Sequence, residues 1–245
     1  MLQKVGTYNF FIDAYLSDFR GKATLPMIGG FMLQAATKHA EERGFGYSAM
    51  ASRSRVWVLS RMAIEIFEYP KNDTVLVLNT WVADVNKLFT ERCFSFEDES
   101  GKEIGFARSI WASIDMETRR PTNVLELKGL IDYVNKEKVC PIEGLKKILP
   151  VKDIDPIDTF IVKYSDVDIN KHLNSMKYIE HFVDLFDIDM FKEKEIQRFE
   201  INYVSEALYG SSIDLIKRAD QDDSVFTLEM KFGETVVSSS RVTWK

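Results

Sequence analysis

The chain has 245 residues and is poor in cysteine, histidine and net positive charge. Its two cysteines, Cys93 and Cys140, make no disulfide framework and show no metal-type spacing, so neither a metal nor a cofactor is expected. Their scarcity fits a reducing, cytoplasmic setting. There are three histidines, His39, His172 and His181. Lys and Arg together number 32 against 38 Asp and Glu, a formal charge of −6. That balance argues against a general nucleic-acid surface, while a local basic patch can still serve an acidic partner. No apolar run approaches the roughly 18 residues of a membrane span. The N-terminal MLQKVGTYNFFIDAY has neither an apolar signal core nor an Arg/Ser-rich transit character. What the chain does have is 45% hydrophobic and 29% charged residues, the composition of a folded globular protein.

Periodicity divides that material into two similar runs. "TLPMIGGFMLQAATKHAEERG" reads as a helix, with Pro26 at its start, Gly44 at its end, and Ile28, Phe31, Met32, Ala35 and Ala36 on one stripe. Four strand-like segments follow, from Arg55, Thr74, Leu88 and Glu103, the last two joined through "DESGKE". The second half repeats the order. A helix is expected near 174–187, then "EIQRFEINYVSEALYG" and three further strands. "RMAIEIFEYP" at Arg61 resembles "RFEINYVSEALYG" at Arg198, and "GKEIGFARSIW" resembles "GETVVSSSRVTW". One order of elements met twice implies an internal duplication. The expected class is α+β, a double hotdog: two tandem repeats, each a long central helix wrapped by a curved antiparallel sheet. The expected boundaries are 1–120 for the first repeat, 121–154 for a partly helical connector and 155–245 for the second.

The informative segment is "SDVDINKHLN", residues 165–174. If it is extended, Asp168, Asn170 and His172 share one face, because side chains two apart point the same way. A helix start beside it adds backbone donors. The stretch Tyr203 to Leu208 reads as β, and Glu206 there is a charge that needs a reason. Taken alone, His172 is a loop residue, Glu206 a surface acid and Asn174 an N-cap. Taken together, they suit attack by water on an activated carbonyl: a carboxylate base made more basic by burial, an imidazole, and an amide to hold the carbonyl. Copy one offers "ATLPMIGG" before its helix. That apolar counterpart suggests a greasy pocket in the first repeat, against Phe31, Trp57 and Met62. Cys93 is expected to be a packed strand residue.

These same residues, with "ERGFGYSAM", "WVLSRMAIEIFEYPKNDTVLVLNTWV", "TRRPTN" and "INYVSEALYGSSIDL", resemble the acyl-acyl carrier protein thioesterases of plant plastids and bacteria, over nearly the whole chain. The resemblance implies hydrolysis of fatty acyl-carrier thioesters, a carrier protein with phosphopantetheine as partner, and a catalytic set at Asp168, Asn170, His172 and Glu206. Plant members have a cysteine after that Glu; this chain has Ala207, which excludes a cysteine nucleophile there. The lack of a transit peptide points to a bacterial-type member. Carrier docking is expected on Arg119, Arg120, Lys171 and Lys177. Rival readings are an acyl-CoA thioesterase, a hydroxyacyl-carrier dehydratase and a non-catalytic acyl-binding module. A monomer and a homodimer are both compatible with the sequence.

Overall fold

The computed structural model describes residues 2–220 and 224–245. It divides into two compact units, Met1–Leu145 and Lys146–Lys245. In the first, strand β1 (Gly6–Phe11) leads to helix α1 (Leu25–Glu42), a short helix α2 (Tyr47–Ala51), and strands β2 (Arg55–Ile66), β3 (Val75–Val85), β4 (Phe89–Glu97) and β5 (Glu103–Asp115). The strands pair antiparallel in the order β1-β3-β4-β5-β2. In the second unit β6 (Asp158–Ile161) leads to α3 (Ser175–Val183), α4 (Ile188–Glu193), β7 (Ile196–Tyr203), β8 (Ser212–Ala219), β9 (Val225–Phe232) and β10 (Thr235–Trp244). Its strands run β7-β10-β9-β8-β6, again antiparallel. The duplication is therefore real at the level of element order.

Helix α1 begins where Thr24 caps it, its hydroxyl accepting from the Met27 N–H at 3.4 Å. It buries Ile28, Met32, Ala35, Ala36, His39 and Ala40, a face at helical spacing. The helix expected over 174–187 is shorter, ending at Val183, and a separate helix follows: Asp187 caps α4 by accepting from the Asp189 N–H at 2.8 Å. Asp supplies such caps readily, because its carboxylate satisfies a donor the helix cannot. Phe186, between the two, packs edge to face on Phe226 and Trp244.

The connector has no α-helix. Two 3₁₀ turns, Val124–Glu126 and Ile131–Tyr133, are its regular structure among the described residues. Val124, Leu127 and Leu130 are buried with Phe45, Met50 and Val82, so this stretch belongs to the first unit's core. Farther on, Arg108 donates to the carbonyls of Cys140 and Ile142 at 3.1 and 3.0 Å, holding irregular backbone on that unit.

A turn before each helix is the most local expression of the repeat. In the first unit the Asp18 carboxylate accepts from the N–H groups of Arg20 and Lys22 at 2.8 and 3.1 Å, and Gly21 has φ +67°. In the second, Asp168 accepts from Asn170 and His172 at 2.8 and 3.2 Å, and Lys171 has φ +64°. Ser17 bridges to Ala23 as Val167 does to Leu173. The counterpart of "SDVDINKHLN" is thus the polar "YLSDFRGKAT". The apolar "ATLPMIGG" expected at that place instead begins at Ala23, at the end of the turn, and leads into the first turns of α1.

Candidate active site

The segment 165–174 is a tight turn, not an extended strand. The Asp168 N–H donates to the His172 carbonyl, and the Lys171 N–H to the Asp168 carbonyl, both at 2.9 Å. Ile169 is 88% exposed at the tip. Alternation of polar residues here reflects an aspartate collecting backbone donors two and four residues on, an Asx turn. Asp168, Asn170 and His172 therefore do not line up as alternate residues of a strand. Asp168 orients the turn through its backbone, and Asn170 stands exposed on it. Asn174 is the N-cap of α3, accepting from the Met176 N–H at 2.8 Å. Asp166 is buried and accepts from the Lys163 N–H at 2.8 Å.

Glu206 also lies outside the strand where it was expected. Strand β7 ends at Tyr203, and both Val204 and Ser205 donate to the Val237 carbonyl, at 3.0 and 3.1 Å. That irregularity sends 204–208 out as a loop beside the turn. Leu173 N–H donates to the Ala207 carbonyl at 2.8 Å, and His172 forms a bridge with Leu208. Residues 172–173 and 207–208 thus run antiparallel, which brings His172 Nε2 to 3.2 Å from Glu206 Oε2. The two side chains are 25% and 46% exposed. The apolar burial expected for Glu206 is absent; its setting is a wet one next to an imidazole. Ala207, the residue after Glu206, is 2% exposed.

The first unit repeats the scaffold without the pair. Ala23 N–H donates to the Pro70 carbonyl at 2.8 Å, and Lys22 bridges to Lys71, so Lys22 and Tyr69 occupy the places of His172 and Glu206. Arg20, in the place of Asn170, folds onto Asp18 at 2.6 Å.

The residues expected to line a pocket lie in the first unit's packing. Phe31 stacks on Phe10 with centroids 4.4 Å apart. The second unit has the same stack as His181 on Phe160, at 3.6 Å. Trp57 Nε1 donates to the Phe45 carbonyl at 2.8 Å, and Met62 is 1% exposed. Cys93 is fully buried beside Cys140; the hydrogen bond between the thiols, and then burial, push its titration up, so it is no nucleophile. Of the expected docking cations, Arg119 and Arg120 fall in the first unit and Lys171 and Lys177 in the second, with Lys177 paired to Glu180. Among the described residues, no group of three or more His, Cys, Asp or Glu is arranged to hold a metal, and no helix is long and apolar enough to cross a membrane. Sequence alone passes over Tyr178 and Tyr203, which border the His172–Glu206 pair.

Two helix-and-sheet repeats, one of them setting an imidazole from the turn before its helix against a carboxylate from the facing loop, define a thioester hydrolase of the double-hotdog class. Residues 3–127 match the acyl-ACP thioesterase N-terminal domain and residues 152–245 the C-terminal domain, and the chain belongs to that family. It is similar to an acyl-ACP thioesterase from Bacteroides thetaiotaomicron, with 40% identity, a TM-score of 0.94, and coverage of 99% of this chain and 98% of that one. The fold also matches the 12:0-ACP thioesterase from Umbellularia californica, at 20% identity and a TM-score of 0.89, over 100% and 98% of the two chains. The chloroplastic oleoyl-acyl carrier protein thioesterase 2 of Arabidopsis thaliana is 24% identical over an alignment of 254 positions that covers 95% of this chain and 68% of the plant protein. The chain thus spans about two thirds of the length of such plant relatives.

Proposed function

We propose that the chain hydrolyses the thioester between a fatty acyl chain and the phosphopantetheine of an acyl carrier protein, by direct attack of water. The observation that carries this reading is His172 Nε2 at 3.2 Å from Glu206 Oε2, with Ala207 where a thiol would stand. Glu206 is exposed enough to meet a water and takes its proton as the oxygen attacks the carbonyl carbon. The imidazole N–H donates to one carboxylate oxygen and fixes it, leaving the other for the water. Asn170 serves the carbonyl oxygen as charge gathers there. The carbon–sulfur bond then breaks as the carbonyl re-forms, and the leaving thiolate takes back the proton that Glu206 received, which restores the base. Asp168 shapes the turn that presents Asn170 and His172.

The acyl chain is assigned to the first repeat, against Phe31, Trp57 and Met62. The carrier is assigned to local positive charge at Arg119, Arg120, Lys171 and Lys177. Two free thiols in the chain support a cytoplasmic setting. The test is a panel of saturated acyl-carrier and acyl-CoA thioesters, with free fatty acid and free thiol measured together. With a 3-hydroxyacyl-carrier substrate added to the panel, loss of water to a product with a double bond and no free thiol would favour the dehydratase; binding without turnover would favour the acyl-binding module. Glu206→Gln keeps the shape but cannot take the proton. It should lose about 10²–10⁴-fold in kcat with KM little changed. Near-normal turnover of that variant, or an acyl-enzyme caught by rapid quench and mass spectrometry, would overturn the direct mechanism.

A further inference from the structure

We propose that Tyr178 and Tyr203 are positioning residues that lock the Glu206 loop to the start of helix α3, and so set the distance between His172 and Glu206. The inference rests on the catalytic reading above and adds two residues to it.

Tyr178 projects from α3 and is 4% exposed. Its hydroxyl donates to the Ser205 carbonyl, at a long 3.5 Å, and also takes a hydrogen bond from the Ala207 backbone. Those residues stand on either side of Glu206. Tyr203 ends the strand that leads into the same loop, and its hydroxyl donates to the Ser175 carbonyl at 3.0 Å. Ser175 opens α3, directly after the cap Asn174. Each ring is thus rooted in one segment and grips the backbone of the other. The rings meet edge to face, with centroids 5.4 Å apart and planes at 86°. Burial pushes Tyr178 up to about 12, and the charges of Glu206 and Asp168 push it the same way. Burial likewise raises Tyr203. Both phenols therefore remain donors at neutral pH.

The first unit supplies the internal control. Thr24 and Asn174 are equivalent caps, and the Ala23–Pro70 and Leu173–Ala207 hydrogen bonds are equivalent. Counting from these, Tyr178 corresponds to Ile28 and Tyr203 to Ile66, which are 1% and 2% exposed. The same turn and the same helix–strand packing form there with aliphatic side chains. Packing at these positions does not require a hydroxyl. Phenols occupy both positions in the unit where an imidazole and a carboxylate must be held together, and in the other unit, with Lys22 and Tyr69 instead, neither is present.

The experiment uses the full chain with Tyr178→Phe, Tyr203→Phe and the double variant, each made with Glu206 intact and with Glu206→Gln. Removing one hydroxyl keeps the ring and its packing. With Glu206 intact, each variant should lower kcat about fivefold or more, as expected for losing one structural hydrogen bond, with KM for an acyl-carrier thioester unchanged. With Glu206→Gln, the residual rate should fall no further, because the tyrosines act through Glu206. Normal kcat in the Phe variants while Glu206→Gln is disabled would overturn the clamp alone. So would an equal loss in both backgrounds, or a lowered Tm with undiminished kcat per folded molecule. Near-normal turnover of Glu206→Gln would instead sink the base assignment.

Discussion

Substituting Asp168 separates two roles that a carboxylate in this turn can have. Its Oδ1 accepts from the N–H groups of Asn170 and His172 at 2.8 and 3.2 Å. If shaping the turn is its role, Asp168→Ala removes both bonds. At about 1 kcal/mol net for each, the productive turn loses about 2 kcal/mol against its alternatives. That is roughly a 30-fold fall in the population that presents His172 correctly, and in kcat/KM with it. Asp168→Asn keeps an acceptor oxygen at the same place. It gives up only the charge assistance, about half of each bond, so the loss is about 1 kcal/mol or roughly fivefold. The expected order of kcat/KM is therefore wild type, then Asn, then Ala, with about one and a half decades between the first and last and Asn about midway. Steady-state release of thiol from an acyl-carrier substrate measures it, with circular dichroism to show that each variant is folded. If Asp168→Asn is as poor as Asp168→Ala, the reasoning fails, because the negative charge or basicity of Asp168 then enters the chemistry itself.

Three further outcomes are expected. His39 is fully buried, its Nδ1 facing Arg92 at 3.2 Å and its Nε2 the Lys4 carbonyl at 3.1 Å; desolvation first, then Arg92 and Arg43, bring it down to about 3. A histidine held neutral by the fold contributes stability that is present above its unfolded value and lost as pH falls, so unfolding free energy should drop by about 2 kcal/mol from pH 7 to 5, above the carboxylate range. His39→Gln should flatten that slope in denaturant titrations, and an unchanged slope would refute the assignment. Reversing Arg119 and Arg120 to Glu should raise KM for the carrier substrate and leave a short soluble thioester unaffected; equal effects on both would count against docking. Met62→Trp, in the assigned pocket, should shift preference to shorter acyl chains at about 0.8 kcal/mol per excluded methylene, and an unshifted chain-length profile would reject the pocket.

Much of the fold is legible in the residues because burial follows simple periods. Helix α1 and strands β2 to β5 begin and end within a few residues of where the apolar stripe and the alternation place them. What is not legible is the turn chemistry. "DVDIN" alternates as a strand does, yet Asp168 collects the N–H groups of Asn170 and His172, and Lys171 takes a positive φ that a strand forbids. A pointer was present in "SDFRGKAT", where Gly21 occupies the position of Lys171 and is built for that conformation. Glu206 reads as a strand residue because the break after Tyr203 depends on two N–H groups sharing the Val237 carbonyl, a tertiary event with no local signature. The site residues are thus readable as a set, while the geometry that joins them is not.

That geometry also accounts for why a duplicated turn supports the proposed chemistry in one unit only. The scaffold fixes two places: one on the turn, two residues before the helix cap, and one on the facing loop. In the second unit these hold an imidazole and a carboxylate 3.2 Å apart. In the first they hold Lys22 and Tyr69, the latter 5% exposed. An ammonium has no acceptor to offer a water's proton, and a buried phenol is a donor rather than a base at neutral pH. The neighbouring position differs in the same sense. Asn170 is exposed, whereas Arg20 is folded onto its own turn at Asp18 with both side chains under 20% exposed. Of the ten residues in each copy of the turn only the aspartate is shared, yet both backbones bring the two places together, because the aspartate and the paired edges build them. Restoring function to the first copy would therefore take more than Lys22→His and Tyr69→Glu. Ile28 and Ile66 would still leave the new carboxylate on a loop without the phenols that hold Glu206 in the second.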